Sequence, residues 1–112
     1  MSELLTKAFE FGVSTVELSN YIKKENKEFP LMERLLKCGT GIIVSLRIAA
    51  AIPEDSRNLH IDVIQQAEEF QCLMEFMVKT GVLTKRQSEP LIADSQLIKE
   101  KALHLSRRKG AE

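Results

Sequence analysis

The stretch Cys38-Gly39-Thr40-Gly41-Ile42-Ile43-Val44-Ser45-Leu46-Arg47-Ile48-Ala49-Ala50-Ala51-Ile52 decides how this chain folds. It holds a single charge, Arg47, and is otherwise small or apolar. A helix that is apolar on nearly every side is surrounded by protein on nearly every side. In a lone helical bundle each helix keeps a solvent face, and this one hardly has any. The β-branched run Ile42 to Leu46 also suits a strand, but a strand among helices has no partner to pair with. A helix is therefore expected. Its two glycines cost about 1 kcal/mol each relative to alanine. They fit either a close approach of two backbones or a helix that starts or kinks near Gly41, and the sequence leaves both open.

Working outward, the pattern predicts three more helices and one domain over residues 1–112. Leu4, Ala8, Phe11, Thr15, Leu18 and Ile22 recur at heptad spacing, with Leu5, Phe9, Gly12 and Val16 widening the stripe, which gives a helix over about 3–24. Phe29-Pro30 opens the second helix, about 31–52, since proline is tolerated where its missing N–H is not needed. Pro53 to Ser56 makes a turn, with Asp55, Ser56 or Asn58 available as an N-cap. The third helix, about 57–80, buries Leu59, Val63, Ala67, Phe70, Met74 and Met77. Its outer face is expected to carry Asp62, Gln65, Gln66, Glu68, Glu69 and Glu75. Gly81 suits a helix C-terminus, and Thr84 with Gln87 matches a capping box. The fourth helix, about 84–107, has the seam Leu91, Ser95, Ile98, Ala102 and Leu105, with Pro90 kinking its first turn or shifting its start to Ser88. Short connections force antiparallel neighbours, so the fold class is all-α, an antiparallel up-down-up-down four-helix bundle.

The composition narrows the function classes. The chain has 112 residues, 44% of them hydrophobic, with no Trp, and 16 basic residues balance 16 acidic ones. A balanced chain is a poor nonspecific nucleic-acid binder unless its charge is segregated. Segregation is present: Pro53 to Gly81 holds six acids against Arg57 and Lys79, while Thr84 to Glu112 holds seven bases against four acids. Three readings fit, namely a basic nucleic-acid patch, complementary faces of neighbouring subunits, or cations offsetting a helix C-terminus. No stretch approaches the ~20 apolar residues of a membrane span, and the acidic amphipathic N-terminus does not read as a signal peptide. The two cysteines, Cys38 and Cys72, lie in apolar surroundings away from any ligand pattern. Both are expected to be buried thiols in a reducing cytoplasm.

No catalytic, cofactor-binding or metal-ligating constellation stands out. His60, near the start of the third helix, and His104, near the end of the fourth, have no acid three residues away and read as surface residues. Glu54-Asp55 and Glu68-Glu69 read as solvated charge. Gly39 and Gly41 lack the Lys-Ser/Thr of a phosphate loop, and the serines lack a histidine partner. The chain is expected not to be an enzyme and to need no cofactor.

Several of these residues carry a resemblance. Lys37-Cys38-Gly39-Thr40-Gly41-Ile42, followed by Arg47 and Ala49, resembles the second-helix signature of the bacterial four-helix bundle family of rRNA intervening-sequence proteins. Phe29-Pro30, the polar turn into the third helix and Thr80-Gly81-Val82-Leu83-Thr84 are similar to it as well. The resemblance implies a ring-shaped homopentamer and kinship with the accessory variability protein of diversity-generating retroelements, which binds nucleic acid. The chain departs from the family at Ser45 and Ile48, where Asn and Glu are usual, and it lacks the strong basicity of the nucleic-acid binders.

The expected function is that of a noncatalytic cytoplasmic scaffold or adaptor that assembles with itself and serves an unidentified protein partner. Ile43, Arg47, Ile48 and Ala51 are the expected subunit contacts. The alternative is a nucleic-acid-binding accessory factor using Lys99, Lys101, Arg107, Arg108 and Lys109.

Overall fold

The computed structural model describes residues 2–107. Among them are four α-helices and no strand: α1 Glu3–Lys24, α2 Met32–Ala51, α3 Ser56–Lys79 and α4 Lys85–Ser106. They form a bundle with extents of 50 × 21 × 20 Å. α1 packs on α2, α2 on α3 and α3 on α4, and α1 closes more thinly against α4.

Local chemistry sets the helix ends. Ser2 accepts the Leu5 N–H at 3.1 Å and caps α1. Thr84 and Gln87 form a reciprocal capping box at the start of α4, which satisfies two otherwise orphaned donors. α3 has no side-chain cap; a 3₁₀ turn, Pro53–Asp55, feeds straight into it. Gly81, at φ +80°, stops the chain after α3 in a conformation that L side chains avoid. Pro90 lies inside α4, which begins at Lys85 rather than after the proline.

Each helix contributes to one core. Phe11, Leu35, Ile42, Val63, Phe70, Met74, Met77 and Ile98 are fully enclosed. Phe11 and Phe70 meet edge to face with centroids 4.7 Å apart, a favoured aromatic arrangement. Buried hydroxyls return to their own helices, as Thr15 does to Phe11 O at 2.9 Å and Ser95 to Ile92 O at 2.7 Å. Burial without such partners would cost about 1–3 kcal/mol each.

Gly39 resolves the first glycine question. A Cβ there would fall 2.7 Å from the Thr15 side chain, so α1 and α2 approach too closely for any larger residue. The glycine sits where two backbones meet. No helix break occurs at Gly41, since α2 runs unbroken through it.

Three expectations are corrected. Phe9 and Val16 do not widen the buried stripe of α1; they are 51% and 43% exposed. α2 is not among these: its Val44 and Ile48, 55% and 41% exposed, are apolar surface that one bundle leaves uncovered. Asp62 and Gln66 do not point away from the bundle but turn toward α2. Cys72 is exposed, and only Cys38 is buried. His60 is partly buried, with its Nδ1 shut off from solvent and without a hydrogen-bond partner. The common cause is that heptad spacing identifies a helical face but not how wide that face is.

Candidate interaction surface

The outward ridge of α2 separates two grooves. The groove toward α1 has a volume of about 330 Å³ and is lined by Phe9, Val13 and Val16 on one wall and Ile43, Val44 and Arg47 on the other. Phe9, Val13 and Val16 share one side of α1 because residues three, four and seven apart lie on one helical face. The same spacing joins Val44, Ile48 and Ala51 on α2. An exposed apolar strip rimmed by polar residues is how a protein-interaction surface differs from scattered surface hydrophobes.

On its other side, α2 borders a polar cleft of about 740 Å³ against α3. Ser45 donates to Asp62 Oδ2 at 2.7 Å. Gln66 donates to Ser45 Oγ at 3.1 Å and to the same Asp62 oxygen at 2.8 Å. Gly41 makes room for this arrangement: a Cβ there would fall 2.0 Å from Gln66 Oε1. At the far end of the cleft, Arg34 pairs with Glu69 at 3.1 Å. Cys38 lines the cleft, and burial, with the Glu69 charge adding to it, pushes its thiol up to about 11. A thiol so placed is protonated at neutral pH and a poor nucleophile.

The expected contact residues divide. Arg47, Ile48 and Ala51 are exposed, whereas Ile43 belongs to the bundle core at 9% exposure. An aspartate at Ile43 would thus disturb the fold itself. Of the expected basic patch, Lys99, Lys101 and Arg107 are described. Lys99 forms an ion pair with Glu68 on α3, and Lys101, two residues along, points elsewhere on the helix. Arg107 follows the last turn, while Arg108 and Lys109 lie outside the described residues. Part of the charge segregation seen in sequence is thus satisfied between α3 and α4. Phe9 and Val16 are the exposed apolar groove residues that sequence reasoning placed in the core. Their signal was an apolar stripe on α1 too wide for one buried face.

The arrangement defines an all-helical bundle with an exposed apolar strip and a polar cleft on either side of one helix. No family model matches the chain, and no curated protein matches it. Its structure is similar to that of a protein of unknown function from the S23 ribosomal protein family of Bacteroides thetaiotaomicron, with a TM-score of 0.87 and 27% identity. The match covers 93% of this chain and 91% of that one. Among the described residues, no helix is long and apolar enough to cross a membrane.

Proposed function

We propose that this chain is a noncatalytic cytoplasmic scaffold or adaptor, built as an antiparallel up-down-up-down bundle that assembles into a ring-shaped homopentamer. The observation that carries the reading is the exposed apolar strip of Phe9, Val13, Val16, Val44 and Ile48. Covering such a strip releases about 25 cal/mol for each Å² of apolar surface, and a second copy is always at hand. The antiparallel course is supported by the pairs Lys7–Asp94, Ser45–Asp62 and Glu68–Lys99, and by Tyr21 with Gln87. Contacts run in opposite order along each pair: Gly12 by Ile43 then Thr15 by Gly39, Glu68 by Lys99 then Gln71 by Gln96, and Lys7 by Asp94 then Tyr21 by Gln87. The pentamer comes from the family resemblance, and the unpaired thiols agree with a reducing compartment.

A noncatalytic role is supported by the polar cleft, where Ser45, Asp62 and Gln66 bond to one another and the Cys38 thiol is held protonated. The nucleic-acid reading, and with it kinship to the retroelement accessory protein, has less support, since Lys99 is engaged by Glu68.

Light scattering after size exclusion tests the assembly. The expected mass is about five times the 12.7 kDa chain, and Val44→Asp is expected to lower it while leaving helicity intact. A monomeric wild-type protein would overturn the proposal.

A further inference from the structure

Two charges flanking α2 meet no opposite charge among the described residues. Arg47 is exposed at the α1–α2 groove and forms no ion pair. Asp62, in the α2–α3 cleft, is held only by the neutral Ser45 and Gln66. A second pair repeats the pattern: Lys37 lines the cleft, Glu17 is exposed on α1 one turn beyond the groove residue Val13, and neither is ion-paired.

The two faces also match in spacing. Asp62 is level with Ser45, to which it bonds, and Lys37 lies eight residues from Ser45, or about 12 Å along the axis. Gly12 lies against Ile43, so Phe9, three residues before the one, is nearly level with Arg47, four residues after the other, and Glu17 lies eight residues from Phe9, again about 12 Å. The cleft thus presents minus then plus, and the groove presents plus then minus, at equal separation. Arg47 and Ser45 are two residues apart, so the faces differ in height by only about 3 Å. A rotation about an axis parallel to the bundle preserves height and brings one face onto the other.

We infer that the α1–α2 groove of one copy docks onto the α2–α3 cleft of the next, with Arg47 on Asp62 and Glu17 on Lys37 of the neighbouring copy. The contact is heterologous, joining two different faces, and such contacts form rings when the rotation closes. Grooves on adjacent sides of a four-helix bundle face roughly a right angle apart. The corner of a square ring is a right angle and that of a pentagonal ring is slightly wider, so closure comes at four or five copies. α2 stands at the vertex between the faces, and Val44, which lines both grooves, turns toward the ring axis with Ile48. The near absence of charge over Cys38–Ala51 then has its explanation: this stretch has as neighbours α1, α3, and α2 of the other copies.

This inference rests on the self-assembly reading, and charge exchange separates the two. In light scattering, Arg47→Glu and Asp62→Asn are each expected to lower the mass toward that of the 12.7 kDa chain with helicity unchanged. The double exchange Arg47→Glu/Asp62→Arg is expected to restore the wild-type mass, because every contact in the ring regains opposite charges. Wild-type mass in either single variant, or a helical double variant that stays small, would overturn the pairing and leave self-assembly standing. If the double variant loses helicity, the two single variants decide. A monomeric wild-type protein would overturn both.

Discussion

Gly39 has less room than any residue of the core requires. A side chain there meets Thr15, whose Cβ, at 3.0 Å, cannot swing aside as a flexible chain end would. Gly39→Ala gains about 1 kcal/mol of helix propensity but forces α1 from α2, an overpacking cost of about 1–3 kcal/mol. The expected result is a net loss of stability in urea denaturation, relieved in part by adding Thr15→Ala. His60 gives a pH-dependent counterpart. Burial lowers its pKa, so the unfolded chain takes up a proton at a higher pH than the folded one. The neutral imidazole therefore supports the fold above the ordinary histidine value of about 6.5, and that support is lost as pH falls from there through the lowered value of the folded state. Thermal unfolding between about pH 7 and pH 5 should show a steeper loss in the wild type than in His60→Asn. Equal slopes would show that the histidine is not coupled to folding.

At the scale of elements, helical character was legible because each apolar pattern repeats with the period of a helix. Thr84 and Gln87 were legible for a similar reason, since a capping box is local and needs no tertiary partner. The width of each buried face was not legible. Phe9 and Val16 look like core residues, and Asp62 and Gln66 look like solvated ones, until the positions of α2 and α3 are known. A side chain one step around the helix from the seam is placed by its neighbours, and heptad spacing carries no record of them. The cysteines show the same limit: similar apolar flanks put Cys38 inside and Cys72 outside. In the folded protein, a disulfide reagent near neutral pH is expected to titrate one thiol quickly. Denaturant should expose the second, and Cys72→Ser should abolish the fast phase. Two fast thiols would mean that α2 and α3 separate readily at Cys38.

At the scale of the whole molecule, the oddity first visible in sequence survives folding. One bundle does not use up the apolar surface of α2, and Val44 and Ile48 remain uncovered beside Phe9, Val13 and Val16. The chain thus carries information about two levels of packing in one helix: a core side, with Leu35, Ile42 and Leu46, and a ridge that the single chain leaves bare. The sequence pattern blends the two, which is why Ile43 and Ile48 looked alike as contact residues and only Ile48 is exposed.

The order of packing around the bundle also bears on time. Each helix lies chiefly against its neighbour in the chain, while the thin seam between α1 and α4, with Lys7–Asp94 and Tyr21–Gln87, joins distant segments, as do Phe11–Phe70 and Lys27–Val82. Chains dominated by local contacts collapse to their native topology in roughly microseconds to milliseconds. The seam must wait until α2 and α3 have brought its halves together. Stopped-flow refolding should then find the α1–α4 contacts largely absent from the transition state, so that Lys7→Ala accelerates unfolding and leaves the refolding rate nearly unchanged.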